Sequence, residues 1–128
     1  DYVKTFDITY LTSLNISGRN ISDLTGLEDF ISLIELDAHN NNISSVSPFL
    51  GSRFAAGFKV GTINLSDNNI SSLDISNLYC LALLDVTNNP LVCIQVNEWH
   101  LSCIAGTALL PMQLLADEGV TTSLDCGN

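Results

Sequence analysis

The chain is expected to fold as an α/β solenoid: a right-handed coil with a short parallel β-sheet on its concave face and a disulfide-closed C-terminal cap. Three observations lead there. An eight-residue phrase recurs four times at intervals of about 21 to 27 residues, a period typical of stacked repeat units. Apolar residues inside each phrase alternate with period two, as they do in a strand with one buried face. Finally, four cysteines (Cys80, Cys93, Cys103 and Cys126) form no CxxC pair and have no His at zinc-finger spacing, which favours oxidised pairing over metal.

The bulk properties bound the problem first. A chain of 128 residues fits one domain, 1–128, because compact domains cluster near ~100 to 150 residues. Hydrophobic residues make up 46% and charged residues 14%, so a core can be buried and disorder is excluded. Fourteen acidic against four basic side chains give a net charge of −10. Phosphate backbones and anionic lipid surfaces repel such a chain, which removes nucleic-acid and polybasic membrane binding. No window reaches the ~18 uncharged apolar residues of a membrane helix. The nearest, Leu101 to Ala116, is broken by Ser102, Thr107, Pro111 and Gln113. No membrane insertion is expected.

In chain order, residues 1–10 form an N-terminal flank with Tyr2, Val3, Phe6, Ile8 and Tyr10 but no cysteine. Residues 11–94 hold the repeats. The phrases LNISGRNI, LDAHNNNI, INLSDNNI and LDVTNNPL begin at Leu14, Leu36, Ile63 and Leu84, and Leu11, Leu33, Val60 and Leu81 precede them at a constant offset. The pairs Leu14/Ile16, Leu36/Ala38, Ile63/Leu65 and Leu84/Val86 predict short strands with those residues inward. A crossover must return each strand to the same edge of the sheet, which makes the strands parallel, and stacking them gives a solenoid. Asn41, Asn68 and Asn89 fall where the chain leaves the strand. An amide there can donate to and accept from backbone groups that a stacked turn hides from water, so a ladder of asparagines is expected. Arg19 takes that place in the first copy, as suits a terminal unit.

The returning arms carry Ile21, Leu24 and Leu27, then Ile43, Val46 and Phe49, then Ile70 and Leu73. The stretch Leu73 to Tyr79 is short enough to predict only a tight arch. An insertion near 47–60 places Leu50, Phe54 and Phe58 at helical spacing, so a convex-side helical turn is expected there. Residues 95–128 form the C-terminal cap, and LVCIQV at 91–96 reads as the start of a further coil.

The full pattern, LxxLxLxxNxI, resembles the leucine-rich-repeat family over about residues 11 to 94. The phrase ISDLTGLEDFISL is similar to internalin-type repeats. NPLVCIQV and the closing SxDC resemble the C-terminal end of secreted bacterial leucine-rich-repeat proteins with LDxSNN phrases. That likeness implies a Cys93–Cys126 bridge pinning the cap and leaves Cys80 and Cys103 for a second. The cysteine positions by themselves leave three connectivities open. No CxxC pair or zinc-finger spacing is present, so oxidised pairing outside the cytosol is the expectation, and the resemblance implies a secreted or cell-surface protein of bacterial type. The first residue is Asp1, so a secretion signal is expected either to have been removed or to lie outside the given sequence.

The family likeness further implies a protein ligand on the concave face, at Ser13, Asn15 and Ser17, Glu35, Asp37 and His39, Thr62, Asn64 and Ser66, and Leu83, Asp85 and Thr87. Leu83 is the apolar anchor of this set. Glu35, Asp37, His39 and Asp85 make the face acidic and favour a basic protein partner of unknown identity, or calcium. A flat sheet spreads such oxygens at ~4.8 Å per strand, so no metal and no cofactor are expected. His39 has no second His or Cys beside it for zinc. Arg53 and Lys59, with Phe54 and Phe58 between Gly51, Gly57 and Gly61, offer another surface on the insertion. There is no GxSxG, HExxH or phosphate-cradling loop, and His100 beside Trp99 reads as cap packing, so the chain is not expected to be an enzyme. NxS triplets at Asn15, Asn20, Asn42, Asn64 and Asn69 follow from the repeat grammar and read as structural. Extracellular protein binding is therefore the leading expectation. The competing ones are a spacer within a larger bacterial adhesin and a calcium- or glycan-binding surface.

Overall fold

The computed structural model describes residues 8–30, 32–46, 61–78, 81–105 and 112–127. Its strands are β1 (Ser13–Asn15), β2 (Glu35–Asp37), β3 (Thr62–Asn64), β4 (Leu73–Asp74), β5 (Leu83–Asp85), β6 (Cys93–Gln95), β7 (Gln113–Leu115) and β8 (Thr121–Ser123). Among the described residues a 3-10 turn spans Leu27–Asp29 and an α-helix spans Glu98–Ile104. These strands form two all-parallel sheets, ordered β1-β2-β3-β5-β7 and β4-β6-β8. From β3 onward the chain alternates between the sheets.

The strands are short because the same place in every phrase turns the chain aside. Gly18 (φ 61°), Asn40 (φ 55°), Asp67 (φ 55°) and Asn88 (φ 56°) all sit in the left-handed region. Gly, Asn and Asp reach that region most readily among the amino acids, and each of the four positions holds one of them.

In the larger sheet Leu14, Leu36, Ile63, Leu84 and Leu114 lie side by side at one level. Leu36, Ile63 and Leu84 are buried, as are Ala38, Leu65 and Val86 one step along. The smaller sheet contributes Leu73, Ile75, Ile94 and Val96 to the same apolar cluster. Fully burying one such aliphatic side chain is worth roughly 1.5 to 3 kcal/mol.

Three elements depart from expectation. Leu73–Asp74, read as part of an arch, is a strand of the second sheet, and the supposed further coil at 91–96 supplies that sheet's β6. The next strand of the larger sheet is instead β7, within the stretch assigned to the cap. Both deviations share a cause: Leu73/Ile75 and Ile94/Val96 alternate just as the phrases do, and period-two patterning does not say which sheet a strand joins. β7 keeps the alternation with Leu114 and Ala116 but has Gly119 (φ 90°) where the three preceding copies place asparagine. The expected helical turn around Leu50, Phe54 and Phe58 lies outside the described residues.

The C-terminal stretch is fastened in two ways. Cys93 and Cys126 are disulfide-bonded across a sequence separation of 33, with Cα atoms 5.9 Å apart, as the family likeness implies. Cys103 is also disulfide-bonded, and its expected partner Cys80 lies outside the described residues. The helix starts at a reciprocal capping box. The His100 N–H donates to Asn97 Oδ1 at 2.9 Å, and the Asn97 N–H donates to His100 Nδ1 at 3.3 Å. Asn97 Nδ2 donates to the Ser76 carbonyl at 2.7 Å, which ties the helix start to the segment after β4. His100 is completely buried, so its imidazole caps a helix rather than facing a cleft. Among the described residues no helix is long and apolar enough to cross a membrane.

Candidate binding face

The outward side of the larger sheet carries two rows fixed by register. One runs Ser13, Glu35, Thr62, Leu83, Gln113; the other runs Asn15, Asp37, Asn64, Asp85, Leu115. Ser17, His39, Ser66 and Thr87 follow at the rim where the chain turns.

The second row and the rim are occupied with each other. Asn64 Oδ1 accepts from the Ser66 N–H at 3.0 Å and its hydroxyl at 2.7 Å. Asp85 Oδ1 accepts from the Thr87 N–H at 3.0 Å and its hydroxyl at 2.8 Å. Asn15 does the same with Ser17, at 2.9 and 2.6 Å. Asp37 Oδ1 accepts from the His39 N–H at 3.3 Å and lies 2.5 Å from His39 Nδ1. These are Asx turns, in which a short side chain stands in for a backbone acceptor and ends the strand. They also account for the NxS triplets at Asn15 and Asn64, whose hydroxyls bond the asparagine itself. A second rim contact joins neighbouring copies: Asn88 Nδ2 donates to Asp67 Oδ1 at 3.0 Å, and the Asn88 N–H donates to Asp117 Oδ2 at 2.8 Å.

Beneath the rim, Asn41, Asn68 and Asn89 repeat one bonding scheme. Each Nδ2 donates to the carbonyls of its own turn: Ala38 and His39 at 3.0 and 3.3 Å, Leu65 and Ser66 both at 3.1 Å, Val86 and Thr87 at 3.1 and 3.3 Å. Each also donates to the preceding copy, at Ile16, Ala38 and Leu65 respectively. Each Oδ1 accepts an N–H from that preceding copy, at Ile21, Ile43 and Ile70. Asn41 additionally accepts the Arg19 N–H at 3.0 Å. The amides thus link copies by polar contacts that the buried aliphatic column cannot supply.

The first row differs. Among the described residues, the side chains of Ser13, Glu35, Thr62 and Gln113 make no hydrogen bond, and Leu83 in the same row is half-buried. The structure therefore divides the sequence-derived candidates. Asp37, His39, Asn64, Ser66, Asp85 and Thr87 serve turns, while Glu35 and Leu83 face outward unengaged. It also adds Gln113 and Leu115, the latter 37% exposed. Their signal was the Leu114/Ala116 alternation, obscured by the missing asparagine.

Electrostatically the face is one-signed. Glu35, Asp37 and Asp85 sit on it with Asp67 and Asp117 along its rim, and among the described residues Arg19 is the sole Lys or Arg. Among those residues no group of three or more His, Cys, Asp or Glu is placed to hold a metal ion. The surface expected around Arg53 and Lys59, with Phe54 and Phe58, lies outside the described residues. Comparison with models of known protein families, with curated proteins and with solved structures finds no match.

Proposed function

We propose that the chain is a leucine-rich-repeat solenoid that works outside the cytosol as a protein-binding module, using the outer, concave face of the five-stranded sheet. One observation carries this reading: five parallel strands hold in register a row of outward side chains that make no hydrogen bond among the described residues. Beside them, Asx turns and the asparagine ladder fix the rim in place, so a partner meets a surface whose ordering cost has already been met in folding. The Cys93–Cys126 bridge fits an oxidising compartment.

Photo-crosslinking tests the reading. A benzoylphenylalanine replacing Thr62, at the middle of the face, is expected to capture an extracellular or surface protein of the source organism. The same group replacing Asp74, on the second sheet, is expected to capture none. Equal capture from both positions, or none from Thr62, removes the concave-face reading and leaves a spacer role.

A further inference from the structure

We infer that the partner is a basic protein segment that seats a cation against Glu35 and an apolar side chain over Leu83, roughly 10 Å apart. This rests on the protein-binding reading above and adds the chemistry and spacing of its ligand.

The argument begins with what remains available on the outward side. Glu35 and Leu83 belong to the same register row, with Thr62 between them. Neighbouring strands lie ~4.8 Å apart, so two strands of separation put the carboxylate and the leucine roughly 10 Å apart, with no offset along the strands. Thr62 between them is small and polar and leaves room for a backbone to cross.

The two ends of the row differ in chemistry. At the β2 end, Glu35 has no side-chain partner among the described residues, and Asp37 beside it spends Oδ1 on His39 while its other oxygen is uncommitted. At the β5–β7 end, Leu83 and Leu115 both face outward, with Leu115 next to Asp85 in the register. Each alone is ordinary for a protein surface. Together on one rigid face, they pair an acidic pole with an apolar pole.

Charge selects the occupant. The chain carries −10 overall, and Asp67, Asp85 and Asp117 extend the negative field across the copies. An acidic partner is repelled and a basic one is steered in. A segment offering Lys or Arg at one point and Leu, Met or an aromatic at the other matches both poles. An α-helix supplies that spacing from residues about seven apart, at 1.5 Å per residue.

The test uses the whole chain as bait for a displayed random-peptide library, followed by affinity measurements on the enriched peptides. These are expected to contain a basic and an apolar residue at the stated separation. Glu35→Lys and Leu83→Asp should each weaken binding by about tenfold or more, and Asp74→Lys on the second sheet should not. Exchanging the peptide's basic residue for Glu should restore binding to Glu35→Lys but not to the parent chain. Thermal melts establish that the variants are folded, and Leu83→Ser replaces Leu83→Asp if the latter unfolds. Peptides that bind with no sensitivity to Glu35 and Leu83, but lose affinity on Thr62→Arg, overturn this inference and leave the concave-face reading standing. Peptides that respond only to Asp74→Lys, or a library with no enrichment, overturn both.

Discussion

Asn89 offers the sharpest test of how the copies are joined. In Asn89→Ala four backbone groups lose their contact with the amide, but not all are orphaned. The Leu65 carbonyl keeps Asn68 Nδ2 at 3.1 Å, and the Thr87 carbonyl keeps the Asp67 N–H at 2.9 Å. That leaves the Ile70 N–H and the Val86 carbonyl, on residues 0% and 1% exposed. Each buried unsatisfied group costs about 1 to 3 kcal/mol, so a loss of about 2 to 6 kcal/mol is expected. Asn41→Ala strands the N–H groups of Arg19 and Ile21 and the carbonyl of Ile16. Arg19 is exposed and Ile16 and Ile21 are half-buried, so water can replace the amide and the loss should be about 1 kcal/mol. Urea unfolding followed by circular dichroism reads both as shifts in midpoint at constant slope. A loss below about 1 kcal/mol for Asn89→Ala, or equal losses at the two positions, would refute the view that these amides matter through buried backbone groups.

Other expectations follow from the same contacts. Replacing Cys93 and Cys126 together by alanine should lower stability by about 3.7 kcal/mol on the loop-entropy estimate for the enclosed segment; an unchanged unfolding midpoint would show that the bridge does not constrain the unfolded chain. Asp85→Ala should cost about 0.5 to 1.5 kcal/mol through loss of its Thr87 bonds, whereas Asp85→Asn, which keeps the acceptor, should cost less; the order of the two melting temperatures decides. At Asp23 the hydroxyl and backbone N–H of Thr25 bond the ionised carboxyl and hold it below its ordinary value of 3.8. A lowered folded pKa contributes stability that is present above the unfolded value and lost as pH falls through the folded one. NMR titration should therefore show Asp23 ionising at lower pH than in Thr25→Val, and coincident curves would count against the hydrogen bonds.

Much of the architecture is legible in the residues themselves. Leu14, Leu36, Ile63 and Leu84 recur at repeat spacing inside an alternating pattern, and that is enough to expect parallel strands placed side by side. Burial is a local, periodic property, so it leaves a trace that one chain can show. The left-handed turn is legible too, because Gly18, Asn40, Asp67 and Asn88 are residue types that tolerate it. β7 is harder to see, since it lacks the asparagine that marks the other copies, and the second sheet is hidden because its two- and three-residue strands repeat the alternation of the first.

The division of labour on the outward face could be settled only in three dimensions. Asp37 and Glu35 look equivalent in sequence, both acidic and both at outward positions of one strand. Folding gives Asp37 a turn to close with His39 and leaves Glu35 without a hydrogen bond among the described residues. Likewise, the recurrence of Asn41, Asn68 and Asn89 is visible along the chain, but their partners at Ile21, Ile43 and Ile70 belong to the preceding copy. Apolar periodicity is written residue by residue, because each side chain meets either core or water. A polar side chain's role depends on which donor or acceptor arrives within about 3 Å, and that is decided when distant copies pack together.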